Sequence, residues 1–487
     1  MKLPKYPALA LFVDGEWIAA DRRETLDVLR PATGEVIGRL PIATTPDIDR
    51  AADAAARVFP HWRATPAHER GRILQRVARG LRDHADRLAA IITMEQGKTL
   101  AEALAEVAGT ADAFDWMAEE GRRAYGRVVP SRAPGLEQMV VHEPIGPILA
   151  LSPWNYPAVL TGRKIATALA AGCTVVAKAS EETPAIAVEM VRLCAEAGVP
   201  AGALNLLFGV PSEISSRLID SPHICKISFT GSVPVGRHLS ELAGRAMKKI
   251  TLELGGHSAV VVAGDADVEH VATLAVMAKF RNAGQTCHCP TRFLVHRSVH
   301  APFVARLAAL AVDLRVGDGL APDTRMGPVL NVRRVGAIRA LVEDAVGRGA
   351  RVACGGRTLQ QAESRGGEGS FWMPTVLAEV PADARAMHEE PFGPLALVRP
   401  FDDLDEAIAL ANGTEYGLAA YAFTRSLATA QHLQSALDAC CVSINSFAMA
   451  PVEMPFGGVK QSGMGSEMGT EGLASHLHPK AIFRMTS

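Results

Sequence analysis

From residue 147 onward, short apolar runs alternate with helix-length stretches, and this rhythm narrows the fold more than any other feature of the chain. Runs at 148–151, 174–177, 204–207, 227–229 and 259–262 are each too short to be core helices and are separated by segments long enough for a crossover. Strands alternating with helices predict a parallel sheet covered on both faces. Thr183-Pro184 ahead of 185–197 marks a helix start, with proline in the first turn, where its missing N–H costs nothing. The same rhythm resumes between about 274 and 444, with helix signals at 304–312 and 335–346 and apolar runs at 292–295 and 395–398, predicting a second α/β domain. Upstream, Ile73, Leu74, Val77, Leu81, Leu88, Ile91 and Ile92 recur at three-to-four spacing and predict one amphipathic helix over 70–93. Residues 125–142 lack helical periodicity and predict an inserted hairpin, and 360–370 predicts an exposed connection.

A chain of 487 residues exceeds what one core organises, in keeping with two domains. Fifty basic against 52 acidic residues leave a net charge of −2, which removes any bulk electrostatic case for nucleic acid or a membrane surface. The uncharged run 144–162 carries Pro144, Pro147, Pro153 and Pro157, too many breaks for a membrane span. No secretory signal is expected, since residues 1–7 lead into Asp14 and Glu16 without an apolar h-region of signal-peptide type. Eight cysteines in so long a chain are not a disulfide framework, so reduced thiols and the cytoplasm are expected. The adjacent Cys440 and Cys441 have no metal-ligand spacing and are expected in the core; no metal site is expected anywhere.

Four separated clusters carry chemistry. Gly284-Gln285-Thr286-Cys287 sets a cysteine just after a glycine-containing turn. Glu253-Leu254-Gly255-Gly256 sets a carboxylate ahead of a glycine pair. Pro153-Trp154-Asn155-Tyr156-Pro157 fixes an amide side chain between two prolines. Phe229-Thr230-Gly231-Ser232, with Gly236 beyond, is a strand-to-helix turn whose free N–H groups favour an anion. Singly, each has a plain structural reading: a packing cysteine, a surface glutamate, a rigid turn, a helix cap. Together they supply a nucleophile, a base, an oxyanion donor and a phosphate cradle. Those are the parts needed when a thiolate attacks an aldehyde, a hydride leaves to a nicotinamide, and water hydrolyses the thioester.

With Lys178-Ala179-Ser180-Glu181, Glu390-Pro391-Phe392-Gly393-Pro394 and the segment Pro455-Phe456-Gly457-Gly458-Val459-Lys460-Gln461-Ser462-Gly463, these clusters resemble the aldehyde dehydrogenase superfamily over nearly the whole chain. The resemblance implies a fold of a Rossmann-like cofactor-binding domain (1–124 and 143–254), an α/β catalytic domain (255–462), and a small β element (125–142 and 463–487) that joins subunits into homodimers or homotetramers. It implies Cys287 as nucleophile, Glu253 as general base and Asn155 as oxyanion donor, shared with the Cys287 backbone N–H. It implies NAD as cofactor, with Lys178 and Glu181 at the adenosine ribose, Gly231 and Ser232 at the pyrophosphate, and Trp154, Glu390 and Phe392 toward the nicotinamide. Two departures stand out: His257 where the family has lysine, and Ser466 where it has arginine ahead of Glu467.

The segment Phe280-Arg281-Asn282-Ala283-Gly284-Gln285-Thr286-Cys287-His288-Cys289 resembles the succinate-semialdehyde branch, and Arg163 matches a second arginine of that branch's substrate tunnel. Arg163 and Arg281 are therefore the expected contacts for a substrate carboxylate, each a guanidinium expected to be buried and costly without such a partner, although Ala450 stands where the branch tends to carry serine. An acylating relative that passes the thioester to coenzyme A would lack Glu253, and a non-catalytic relative would lack Cys287, Glu253 or Asn155. The spacing of Cys287 and Cys289 leaves room for a reversible disulfide between them.

Overall fold

The computed structural model describes residues 5–21, 23–363 and 369–486. Its first sheet is built on five parallel strands: β1 (Ile148–Leu151), β2 (Val175–Lys178), β3 (Leu204–Leu207), β4 (Lys226–Thr230) and β5 (Lys249–Glu253). Their spatial order is β3-β2-β1-β4-β5. Side chains alternate faces as the two-residue period demands. Ile148 and Ala150 join one apolar cluster, Leu149 and Leu151 the other. Helices Pro157–Ala171, Pro184–Glu196, Pro211–Asp220 and Val233–Arg245 make the crossovers. Each carries proline in its first turn, which sets φ for the helix where a missing N–H is free. Thr183 precedes its helix as expected, but its side chain makes no capping hydrogen bond.

A second sheet runs 351–354, 375–378, 395–401, 290–296, 258–262, 419–423, 441–444 in spatial order, parallel except at its first edge. Val260 and Val262 face one cluster and Ala259 and Val261 the other, so this sheet too is covered on both sides. The fold is thus the expected α/β arrangement with a Rossmann-like order in its first sheet. A third, three-stranded antiparallel sheet aligns Leu477–Met485, Leu136–Pro144 and Arg127–Val129. Gly463–Met464 lies elsewhere: it pairs antiparallel with β5 at the edge of the first sheet, so the backbone beyond 463 starts there before reaching Leu477–Met485.

Three sequence expectations are corrected. The periodic stretch 70–93 is two helices, Ala67–Asp83 and Ala85–Gln96, because the chain leaves helical geometry at His84. Cys440 is exposed and Cys441 half-buried, since Cys441–Ile444 is the edge strand of the second sheet. Within the expected loop 360–370, the backbone is helical through Leu359–Glu363 and Ser370 is buried; 364–368 lie outside the described residues. Among the described residues no helix is long and apolar enough to cross a membrane, and no group of three or more His, Cys, Asp or Glu could hold a metal.

Candidate active site

In a parallel sheet whose strand order reverses between β1 and β4, a ligand has its natural crevice beyond the carboxyl ends of those strands. The candidate residues gather there. Trp154 and Asn155 follow β1, Lys178 ends β2, Gly231 and Ser232 follow β4, and Glu253 ends β5. The Cys287 loop approaches from the second sheet, just before the strand Pro290–His296.

That loop is held in a conformation that side chains disfavour. Asn282, Ala283 and Gly284 have φ of 51°, 50° and 71°, a left-handed turn that costs free energy at the two non-glycine positions. Asn282 compensates: its Nδ2 donates to the backbone oxygens of Asn155 (2.9 Å) and Gln285 (3.2 Å), and its backbone N–H donates to Glu102 Oε1 at 2.7 Å. Gly284 admits no side chain, because a Cβ there would collide with the Gly393 carbonyl. On the far side of Cys287, Tyr421 Oη donates to the His288 carbonyl at 2.6 Å. The Cys287 loop is therefore clamped at both ends.

Cys287 Sγ lies 3.5 Å from Glu253 Oε1 and 3.6 Å from His288 Nδ1. Burial first, then the charge of Glu253, pushes the thiol well above its ordinary range. Burial also pushes Glu253 up to about 7, helped by the charge of Glu467. The two acids compete for one proton, and neither ionises easily beside the other. Behind Glu253 runs a buried polar chain. Thr230 Oγ1 donates to Glu253 Oε2 at 3.1 Å, Lys164 Nζ donates to Thr230 Oγ1 at 2.7 Å, and Lys164 forms an ion pair with Glu467. Ser466 carries no charge, and the carboxylate of Glu467 is paired with Lys164. Neither Lys164 nor Glu467 was singled out from sequence, although Lys164 adjoins Arg163.

Asn155 is buried, and its Nδ2 donates to Gln285 O at 3.2 Å, leaving its second amide hydrogen uncommitted by that bond. Its backbone oxygen accepts from Lys98 Nζ at 2.9 Å. Lys98 is fully buried, pairs with Glu106, and lies 3.7 Å from the Tyr156 ring centroid. Glu106 also accepts from the N–H groups of Ala158 (2.8 Å) and Val159 (3.3 Å) at a helix start. Breaking such a buried pair costs about 3–5 kcal/mol, so this network fixes where Asn155 stands.

Cys287 forms part of the wall of two cavities. One, of about 500 Å³, is bordered by Trp154, Asn155, Gly231, Ser232, Glu390 and Phe392, with Arg333 and Arg334 added from the first turn of the helix expected over 335–346, two residues not singled out from sequence. Trp154 and Phe392 meet edge to face at 5.4 Å, and Glu390 Oε1 accepts the Gly256 N–H at 3.2 Å. Burial pushes Glu390 up to about 8. Lys178 and Glu181 are not part of this wall. They pair with each other at 2.7 Å, and Glu181 Oε1 accepts the Gly209 N–H at 3.1 Å. A turn of small residues at a helix start, beside an edge-to-face aromatic pair and a carboxylate, is a set suited to a dinucleotide.

The other cavity, about 460 Å³, is bordered by Tyr156, Arg163, Glu253, Arg281, His288 and Phe456, with Met449 and Ala450 at one side. Arg163 is buried, its Nη2 donates to Ala450 O at 3.3 Å, its Nε has no partner, and its guanidinium lies 5.8 Å from the Phe456 ring centroid. Arg281 differs from expectation in being exposed, so the cost of an unpaired buried guanidinium applies to Arg163 alone. Arg281 Nη2 contacts His288 Nε2 at 3.2 Å. Neither arginine forms a salt bridge among the described residues.

Two other candidates resolve as structural. His257 is buried, with Nε2 at 3.0 Å from Ala386 O and Nδ1 at 2.8 Å from Thr291 Oγ1, and burial holds it well below the usual histidine range. Cys289 is buried with its Sγ 3.3 Å from Lys279 Nζ, and both it and Cys287 are free thiols.

With the Cys287 thiol, the Glu253 carboxylate and the two cavities in these positions, the chain belongs to the aldehyde dehydrogenase family, whose model matches residues 17–482. Among its relatives, 4-(hydroxymethyl)benzenesulfonate dehydrogenase TsaD1 of Comamonas testosteroni is 48% identical over 98% of both chains. The NADP-dependent succinate-semialdehyde dehydrogenase GabD of Escherichia coli is 41% identical over 96% of both. The solved betaine aldehyde dehydrogenase of Staphylococcus aureus in complex with NAD+ superposes with a TM-score of 0.95 at 34% identity, covering 100% of this chain and 96% of that one.

Proposed function

We propose that this enzyme oxidises an aldehyde bearing a remote anionic group to the corresponding carboxylic acid, through a thioester on Cys287 that Glu253-activated water hydrolyses. The observation that carries the reading is the placement of one sulfur in the walls of two cavities, with a carboxylate 3.5 Å away and a buried arginine lacking a carboxylate partner in the second cavity.

Glu253 is the nearest base to the thiol, and its poise near 7 suits both halves of the reaction. It takes the Cys287 proton, and the thiolate adds to the aldehyde carbon. The oxygen becomes an alkoxide held by the Asn155 Nδ2–H and the Cys287 backbone N–H. Gly231, Ser232, Glu390, Phe392 and Trp154 would hold a nicotinamide dinucleotide in the larger cavity, with Lys178 and Glu181 toward its adenosine ribose, and when bound it would supply the hydride acceptor. Loss of hydride from the adduct leaves the thioester. Glu253, having released the thiol proton to solvent, then takes a proton from water as it attacks the acyl carbon, and the C–S bond breaks to return the Cys287 sulfur and release the acid.

NAD would be favoured over NADP, because with the adenosine ribose at Lys178 and Glu181 the Glu181 charge would repel a 2′-phosphate, a repulsion that its pairing with Lys178 moderates. For the substrate, Arg163 and Arg281 favour an ω-carboxy aldehyde such as succinate semialdehyde. A sulfonate is the second reading, supported by the 48%-identical relative named for a benzenesulfonate and by the aromatic lining of Tyr156 and Phe456. The three-stranded sheet, with Val128 (82%) and Phe483 (66%) exposed, is assigned to a homodimer or homotetramer contact, and the reduced thiols to work in the cytoplasm. NADH production over matched carboxylate, sulfonate and neutral aldehydes tests the assignment: anionic substrates win if it holds, and equal turnover of butanal and succinate semialdehyde removes it.

A further inference from the structure

His288 sits between the nucleophile and an arginine, and the geometry decides which of its nitrogens carries the proton. Arg281 has only donors, so at 3.2 Å from Nη2 the His288 Nε2 must accept. A neutral imidazole that accepts at Nε2 carries its hydrogen on Nδ1, and Nδ1 stands 3.6 Å from Cys287 Sγ. The ring cannot swing freely, because Phe456 meets it edge to face at 5.8 Å and Tyr421 holds its backbone carbonyl. We propose that His288 is a catalytic hydrogen-bond donor to the Cys287 sulfur, its Nδ1–H tautomer fixed by Arg281, and that it stabilises the thiolate and the departing sulfur during deacylation.

This role differs from that of a histidine in a cysteine–imidazolium pair. Burial, then the charges of Arg281 and Arg163, holds His288 down to about 3, so it stays neutral and neither takes the thiol proton nor bears a charge. Glu253 remains the base. His288 offsets, by one N–H, part of the penalty that burial and Glu253 impose on the thiolate. The groups acting on the sulfur are then the Glu253 carboxylate at 3.5 Å and the neutral His288 N–H at 3.6 Å, with the charge of Glu390 also raising the thiol and that of Arg163 lowering it. Arg281 acquires a second duty, since the same guanidinium that orients His288 also borders the substrate cavity.

The inference rests on Cys287 being the nucleophile, and the test separates the two. In the full-length enzyme, iodoacetamide alkylation is followed across pH by peptide mass mapping at Cys287, with melting temperature and dinucleotide binding as fold controls. His288→Val should raise the pH midpoint of Cys287 alkylation by about one unit, an about tenfold slower reaction at pH 7. His288→Asn, whose amide can donate, should recover a large part of that loss. Coincident midpoints for the parent and His288→Val overturn the proposal while leaving the nucleophile in place. Retained turnover in Cys287→Ala would instead overturn the nucleophile itself. Should His288→Val fail to fold, imidazole 15N shifts of the parent decide: an Nδ1–H tautomer supports the proposal, and an Nε2–H tautomer overturns it.

Discussion

The two cavities that share Cys287 are built differently. The dinucleotide side is made largely of strand-end turns and short motifs: Trp154-Asn155 after β1, Gly231-Ser232 after β4, and Glu390 with Phe392 from one pentapeptide. The substrate side is assembled from side chains of segments far apart in sequence, from Glu102 and Glu106 through Tyr156 and Arg163 to Met449 and Phe456. A wall of turns serves one unchanging ligand, because backbone geometry changes little when side chains drift. A wall of side chains can be retuned residue by residue, and relatives of the same fold carry names as different as a benzenesulfonate and a succinate semialdehyde. General reactivity should therefore fail at the shared centre, and selectivity should fail on one side at a time.

The largest effect is expected at the shared residue. Cys287→Ala should lower kcat/KM by roughly 10⁴-fold or more while leaving dinucleotide affinity, read by NADH fluorescence, nearly unchanged. Substantial steady-state turnover in that variant would break the account of both cavities together. Next comes Glu253→Gln, for which about 10²–10⁴-fold lower turnover is expected. Because Glu253 works as a base only when ionised, and burial puts it near 7, the parent's rate should rise with pH to a plateau above about 7 and fall on the acid side. The Gln variant should lose that limb. A limb that survives belongs to some other group.

How much of this was legible in the sequence follows the same division. The strand runs 148–151 and 204–207 were readable as β1 and β3 because a doubly covered strand has no polar alternation to confuse it. Glu253, Asn155 and Cys287 were readable because each lies in a short motif whose turn is local. The break at His84 was not, because the apolar period carries through it and only the backbone departs from it. Lys98, Glu106 and Glu467 were not, since a buried ion pair is a tertiary event and a lone lysine or glutamate in a helix reads as solvated. The exposure of Arg281 and the edge position of Cys441 were misjudged for the same reason: burial depends on which neighbours arrive, not on residue type. His288 lay inside a quoted motif, but its contacts with Arg281 and Cys287 depend on the left-handed turn before it.

A moderate effect should appear on the substrate side alone. Arg163→Met should lower kcat/KM for an ω-carboxy aldehyde by about tenfold or more, as expected from losing a charge-assisted pair worth roughly 1.5–3 kcal/mol. A neutral aldehyde of equal length should change little, and an equal loss for both would mean that Arg163 shapes the wall without reading charge. The smallest effect belongs to the cofactor side. Glu181→Gln should raise the NADP-to-NAD ratio of kcat/KM by only a few-fold, because Lys178 already offsets part of the glutamate charge. An unchanged ratio would mean that Glu181 does not face the ribose.

The central claim is a covalent acyl group on the sulfur between the cavities. Glu253→Gln incubated with NAD and succinate semialdehyde, quenched in acid and mapped by peptide mass spectrometry, tests it most directly. The account predicts an acyl adduct on Cys287 that forms more slowly in this variant, persists once formed because its hydrolysis also lacks a base, and is absent when NAD is omitted. Turnover that continues with Cys287 unmodified, or an adduct on another residue, would contradict it.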